Sequence, residues 1–582
     1  MLLLEQFEHL MLHPKNAVRL KELVLQLAVQ GKLTESWRNQ NPHVEPASEL
    51  LKQIEAEKFK KIRKEKSQKP VSEEEMPYLL PEGWVWCRIG QLAIIQGGKR
   101  IPKGYSLQDI PTDHVYIRVT DMKKGTVDVS NLKYISEEVF NIIKQYTISK
   151  NDLYITIAGT IGQIGEIPDS LDGMNLTENA AKFVFDYLNK SYFKIALTSK
   201  ESKTQFIGKV NQLAQPKLAL HRIQSSIIPL PPLAEQEAIV ARVEELMQKI
   251  EEMEKANQDR IQLQKSLGVA VLQALTTAPD DELEQQWAFL KQHFQTIFGQ
   301  EANVKKLRET ILQLAVQGKL TSAWRKQNPT IQTAAHLLQQ IQAEKAQLVK
   351  EKKIKKEKPL EPISEDDVPY ELPKSWVWCK VGDLMTNLQY GTSQKCSYDS
   401  SQNTPILRIP NVSNGCVSID DLKYTSLTER ERKQYSLEEG DLLVIRSNGS
   451  REITGTAVYI PDGYGSFGYA GYLIRIRFLI SLINTQFIQR YFCSSYLRKQ
   501  IEAPLRTTVG INNINSVELS NLTVPLPPLE EQEAIVAKVD QLMQLCNELE
   551  QQLTQVNQQT EALMQAVVQE ALQPHEEPVL EK

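Results

Sequence analysis

After the run Pro525-Leu526-Pro527-Pro528-Leu529, apolar residues return in alternating steps of four and three at Ile535, Val539, Leu542, Cys546, Leu549, Leu553, Val556, Leu563 and Val567, with Thr560 in the same register. That spacing is the seam of a coiled coil and predicts one helix of about 40 residues, about 60 Å long. The same punctuation at Pro229-Leu230-Pro231-Pro232-Leu233 precedes a less regular seam: Ile239, Val243, Leu246, Ile250 and Met253, then Asn257, Arg260 and Gln264, before Leu267 and Val271 resume it. Glu235 and Glu531 fall in the first turn of these helices, where a carboxylate suits the helix N-terminus and capping is the simplest role. Elsewhere the period is two. Tyr154 to Ile157, Leu442 to Ile445 and Leu473 to Arg477 are short alternating or apolar runs broken by Gly, Asn and Asp turns, as expected for strands of mixed α/β globules.

These patterns occur twice because the chain is duplicated. Leu20 to Pro42 returns as Leu307 to Pro329 at a shift of 287, Leu80 to Cys87 as Leu372 to Cys379 at 292, and Ile228 to Ala241 as Val524 to Ala537 at 296. Residues 93 to 226 and 388 to 523, between these anchors, are much less alike. A skeleton survives in Tyr116-Ile117-Arg118 against Ile406-Leu407-Arg408 and in Asn151-Asp152-Leu153 against Gly440-Asp441-Leu442. The same scaffold thus carries two different surfaces. The first long helix is followed by a link and the helix starting near Leu307, whereas the second is followed by the end of the chain; its missing partner is the segment Leu20 to Leu33. The expected fold is α+β: two mixed α/β globules joined by long antiparallel coiled-coil helices in a pseudo-two-fold circular arrangement, with the N-terminal helix packed beside the C-terminal one.

The 582 residues suit about four modules. With 41% hydrophobic and 24% charged residues and a mean hydropathy of -0.36, the composition is that of a globular chain with real cores. No stretch approaches the ~18 apolar residues of a membrane span. The six cysteines form no C-x-x-C pair and no zinc spacing with the eight histidines, which suits a reducing cytoplasm.

Catalytic signatures are missing. The chain holds no phosphate loop, and Gly159, Gly162 and Gly165 stand at the wrong offsets for a dinucleotide turn. It has no metalloprotease helix, no nucleophile elbow and no amino-methyltransferase or metal-nuclease motif. An enzyme is not expected, nor any cofactor. Charge points instead to a polyanion. Residues 93 to 226 carry 17 Lys and Arg against 13 Asp and Glu, and residues 388 to 523 carry 14 against 12. Since the net charge is -4, these surpluses of +4 and +2 leave -10 on the frame. Mildly basic globules on an acidic frame suit nucleic acid at the former and protein partners at the latter.

Arg, Lys, Asn, Gln and Thr in glycine-rich turns are the side chains that hold phosphates or read base edges. The candidates in the first globule are Lys99 and Arg100 after Gly97-Gly98, Arg118, Lys123 and Lys124, Thr160 and Gln163, and Gln215 with Lys217. In the second they are Arg408, Arg446, Asn448 and Arg451, then Arg506 and Thr507 with Asn512 and Asn513. The lysine-rich runs from Lys58 to Lys69 and from Lys345 to Lys358 read more simply as solvated helix ends or linkers. Trp84, Trp86, Trp376 and Trp378 alternate on strands, so one of each pair is expected in a core.

Taken together, the Leu-Pro-x-x-Trp openings at Leu80 and Leu372, the Pro-Leu-Pro-Pro-Leu-x-Glu-Gln helix starts and the Ala-Val-Gln-Gly-Lys-Leu-Thr-x-x-Trp-Arg segments ending at Arg38 and Arg325 resemble the specificity subunit of type I restriction-modification systems. The resemblance covers nearly the whole chain. It implies two target recognition domains, at 77–232 and 368–528, each reading half of a split, asymmetric site in double-stranded DNA. It implies a frame of an N-terminal helical region (1–76), a central spacer (233–367) and a C-terminal helix (529–582) that sets the gap between half-sites. That frame would dock two methyltransferase subunits and, through them, restriction subunits. Gly440-Asp441-Leu442-Leu443 and Arg446-x-Asn448-Gly449-Ser450 look close to a common recognition-domain pattern, whereas the first segment departs from it with Gly159-Thr160. The competing reading is a non-catalytic coiled-coil scaffold or adaptor with two ligand-binding globules.

Overall fold

The computed structural model describes residues 16–61, 68–208, 217–279, 282–356, 359–413, 415–503, 506–508 and 511–573. The chain divides into two compact units: one of residues 1–259 with 557–582, the other of residues 260–556. The division falls within both long helices, Leu233–Thr277 and Leu529–Leu572.

In the first unit, the helix Asn16–Val29 buries Ala17, Leu20, Leu23, Val24 and Ala28, steps of three and four that make one apolar face. That face shares a core with Ile239, Val243, Leu246 and Ile250 of the first long helix and with Met564 near the end of the second. Lys21 pairs with Glu254 at 3.0 Å. Lys32 donates to the carbonyls of Ala571 (2.9 Å) and Gln573 (2.6 Å), so a cation satisfies acceptors that a helix C-terminus leaves open. The expected packing of the first helix beside the last is therefore present. The helix stops at Gly31, whose φ of +71° disfavours any side chain; a Cβ there would also stand 2.6 Å from Pro81.

The second unit repeats the device. The helix Glu301–Val316 buries Val304, Leu307, Ile311 and Leu314. Arg308 binds Glu550 at 2.8 Å, and Lys319 donates to the carbonyls of Thr276 and Ala278 at 2.7 Å each.

The seam of the second long helix departs from strict heptads. Ile535, Val539 and Cys546 are buried, but Val556 is 56% and Leu563 50% exposed, while Met564 is fully buried. A straight α-helix drifts about 20° per heptad against a 3.5-residue repeat. Over the four heptads from Ile535 this approaches one residue's rotation, so contact passes from position 563 to 564. The first long helix meets its polar interval with hydrogen bonds: the Gln264 carbonyl accepts from the Asn303 amide at 3.0 Å.

Each variable segment is closed at its base by its own two ends. Val85–Arg88 pairs antiparallel with Ile227–Leu230, and Val377–Lys380 with Thr523–Leu526, in the same register. Inside the first lies an antiparallel sheet ordered Ile94–Gly97, Ala180–Val184, Leu153–Thr156, Ile164–Gly165; inside the second, Met385–Tyr390, Leu473–Phe478, Leu442–Ile445, Ala457–Tyr459. Beside each sits a smaller sheet with one parallel pair, Tyr116–Ile117 with Met174–Leu176 and Thr404–Leu407 with Gly468–Tyr469. Of the four tryptophans expected on strands, only Trp86 and Trp378 lie in them and are half-buried; Trp84 and Trp376 are buried one residue ahead of the strands, at the end of the Pro-x-x turn.

Glu235 and Glu531 do more than cap. Glu235 is 1% exposed, and its carboxylate accepts from Trp84 Nε1 (2.7 Å), Thr34 Oγ1 (2.7 Å) and Arg38 (2.6 Å). Glu531, fully buried, accepts from Trp376, Thr321 and Arg325 at 2.8, 2.7 and 2.6 Å. The neighbouring glutamines also work in pairs: Gln236 accepts from the Asn189 amide N–H and Gln532 from that of Asn484. In each unit one carboxylate thus joins the long helix, the Gly-Lys-Leu-Thr turn and the incoming strand of the variable segment. A buried carboxylate is tolerated only when paired and hydrogen-bonded, and here three donors meet it.

Candidate nucleic-acid interface

Both globules contain the same backbone crossing. In the first, Gly98 N donates to Ala180 O, Lys99 N to Leu176 O and Thr177 N to Ile117 O. In the second, Gly391 N donates to Leu473 O, Thr392 N to Tyr469 O and Ala470 N to Leu407 O. Two chain segments pass so closely that a Cβ on Gly98 would lie 2.1 Å from Thr177 O, and one on Gly391 2.3 Å from Ala470 O. Alanine at Gly98 or Gly391 must displace backbone and is expected to cost about 1–3 kcal/mol. Gly208, at a helix end with no described atom within 4 Å of its Cβ position, should accept alanine with little change. Urea unfolding of the three variants checks this; equal stabilities would refute the close-crossing argument.

The crossing gathers five of the first globule's candidates, Lys99, Arg100, Thr160, Gln163 and Lys217. Lys99 lies 5.5 Å from the Tyr146 ring centroid, and the exposed Arg100 donates through Nε to Glu178 at 2.8 Å. Lys217 donates to the Glu178 carbonyl at 3.0 Å, and its backbone bridges Ala158. That bridge brings the late segment to the turn of Gly159 through Gly162, where Thr160 and Gln163 are exposed. Tyr116 donates to Lys99 O (2.8 Å) and to Glu178 (3.1 Å), and burial pushes its hydroxyl up to about 12. Burial alone would raise the Glu178 carboxyl as well, but hydrogen bonds from Arg100, Thr177 and Tyr116 hold it below the usual carboxylate range. A polar cleft of about 370 Å³, lined by Gln96, Gly97, Gly98, Tyr146 and Lys182 among others, opens beside the crossing.

Arg118 and Arg408 stand apart from these clusters. Arg118 is clasped by Asp121 (2.6 Å) and the Asn131 carbonyl (2.7 Å), and Arg408 by the Asp421 carboxylate (2.7 Å) and carbonyl (2.6 Å). Both hold loops closed. Lys123 pairs with Asp128 at 3.0 Å, and the exposed Lys124 occupies a turn at φ 50°. Gln215 lies outside the described residues.

Asn448, Arg506, Thr507, Asn512 and Asn513 of the second globule lie on a three-stranded ribbon of Ser447–Asn448, Ile511–Asn513 and Arg506–Thr508, with Arg446 just before it and Arg451 in the turn after Asn448. Asn448 pairs with Asn512, Ser447 and Arg506 with Asn513, and Thr507 with Asn512. The Asn448 side chain accepts from Ser450 N at 2.7 Å, and Asn512 donates to the Gly449 carbonyl at 3.1 Å, which ties the tight turn to the ribbon. Arg446 lies 4.7 Å from the Tyr390 ring centroid, and Arg451 donates to the Glu502 carbonyl at 2.8 Å. The side chains of Arg506 and Thr507 lie outside the described residues.

Sequence reading missed three side chains at these crossings: Glu178, Tyr390 and the exposed Tyr472, whose carbonyl accepts from Arg446 N. Nothing local marks them. Only the crossing places Glu178 and Tyr472 on the same short link of the two globules.

Comparison with known proteins adds the context. The family profile described as the type I restriction modification DNA specificity domain matches residues 81–262 and 373–558. The chain is 32% identical over 560 residues to the EcoAI type I restriction enzyme specificity subunit of Escherichia coli, covering 91% of this chain and 90% of that protein. It is 29% identical to the EcoEI specificity subunit, also of Escherichia coli, over 95% and 93% of the two chains. The crystal structure of an HsdS subunit from Thermoanaerobacter tengcongensis aligns with 86% of this chain and 98% of its own at 18% identity and a TM-score of 0.44.

Proposed function

Because the chain belongs to the type I restriction-modification DNA specificity family, we propose that it is the non-catalytic subunit that gives such a complex its target sequence. On this reading, the recognition domains at 77–232 and 368–528 each bind one half of a split site in double-stranded DNA. The frame of 1–76, 233–367 and 529–582 docks two methyltransferase subunits, and restriction subunits join through them. Lysine and arginine contacts to phosphates would set each domain on the duplex, while side chains from the crossing and the ribbon read base edges in the major groove.

The observation that carries this reading is one closed backbone scaffold, present twice, bearing two unlike polar surfaces at the same crossing. A protein that reads two different words with one architecture needs that arrangement. An adaptor for a single kind of ligand does not.

Methylome sequencing of a host that expresses the chain with its methyltransferase subunit tests it. The expected result is adenine methylation at a single bipartite motif of two unlike halves separated by a fixed gap. Methylation without such a motif, or none despite an active methyltransferase, would favour the adaptor.

A further inference from the structure

We propose that Glu178 is a positioning residue that sets how strictly the first recognition domain discriminates its half-site, by holding Arg100 away from non-cognate phosphates. The inference rests on the DNA-recognition reading above and goes beyond it, since no acidic residue was among the candidates.

Glu178 lies at the centre of the first globule's cationic cluster. Its carboxylate takes Arg100 Nε at 2.8 Å and Tyr116 OH at 3.1 Å, and its carbonyl takes Lys217 Nζ at 3.0 Å. The next residue, Asn179, accepts through its carbonyl from Ile157 N (2.8 Å) and Ala158 N (3.2 Å), which fixes this link beside the Gly159 turn. One residue therefore links the Lys99–Arg100 loop, the strand Tyr116–Ile117 and the segment at Lys217.

The electrostatic consequence follows from the geometry. A guanidinium bonded to a carboxylate neutralises little phosphate charge, so random duplex gains little from Arg100. The Arg100 side chain is nevertheless 80% exposed, and a base edge with two acceptors, such as guanine, offers it directed bonds that a phosphate track does not. Glu178 thus lowers affinity for all DNA and raises the share that depends on sequence. The second globule solves the same problem differently. Gly471 occupies the place of Glu178 at its crossing, and Arg446 packs over the Tyr390 ring, with no carboxylate paired to it among the described residues. Strictness at the second half-site should not respond to residue 178.

The test uses the full chain assembled with its methyltransferase subunits. Two readouts are needed: selection from a duplex library randomised across the site, and affinity for a random-sequence duplex over a salt series. Glu178→Gln keeps the size and the hydrogen-bond acceptor while removing the charge. It should bind random duplex about tenfold more tightly, with a salt slope steeper by about one phosphate, and should select a degenerate first half beside an unchanged second half. In an Arg100→Gln background the same change should have no further effect on random-duplex affinity. Glu178→Gln that selects both halves with wild-type stringency, or that weakens binding to every duplex alike, overturns the inference and leaves the recognition reading standing. Wild-type protein that enriches no bipartite site overturns both.

Discussion

Replacing Glu235 with alanine is expected to destabilise the first unit by about 3–5 kcal/mol, the range for removing one partner of a buried ion pair. The loss exceeds that of a cap, about 1 kcal/mol, because Trp84 Nε1, Thr34 Oγ1 and Arg38 all lose their acceptor together. Glu531→Ala should do the same in the second unit, where Trp376, Thr321 and Arg325 converge. Trp84→Phe, which leaves the carboxylate with its hydroxyl and guanidinium donors, should cost markedly less. Urea unfolding followed by amide hydrogen exchange locates each effect. A loss below about 1 kcal/mol for Glu235→Ala would return this residue to the role of a simple cap.

Exchanging residues 93 to 226 for the corresponding segment of another family member is expected to change one half of the methylated motif completely and leave the other half and the gap untouched. The junctions fall just inside the paired strands Val85–Arg88 and Ile227–Leu230, so the ladder that closes the segment stays native. The incoming piece brings much of its own interior, as Val115, Ile117, Ile148, Tyr154 and Leu176 form a core within the segment. The Glu235 junction lies on the frame side and is retained. Methylome sequencing reads the result. Changes in both halves would show that the two domains do not read independently.

Much of this architecture was legible in the amino-acid sequence because it rests on period and repetition. The long helices follow from a period within a few dozen residues, and the duplication and the packing of the first helix beside the last follow from the order of the repeated segments. What escaped depends on partners distant along the chain. A glutamate in a first helical turn looks like a cap whether or not Trp84, 151 residues earlier, reaches it. The clasps of Arg118 by Asp121 and of Arg408 by the Asp421 loop are likewise not marked in the pattern of charges. Glu178 and Tyr472 gain meaning only from a crossing that two glycines permit. The shift from Leu563 to Met564 had a different cause, the gap between 3.5 and 3.6 residues per turn accumulating over four heptads.

The bond from Lys32 to the Ala571 carbonyl spans 539 residues of chain. At about 5–20 residues per second, ribosomal synthesis needs roughly half a minute to two minutes to cover that interval. The second unit is one continuous stretch of sequence and can fold as soon as it has emerged. The first unit is begun first and completed last, because Met564 and the carbonyls that Lys32 holds arrive only with the final turns of the second long helix. Until then the apolar face of Asn16–Val29 lacks part of its cover, so a nascent chain that stalls late should be the form most exposed to chaperones and proteases.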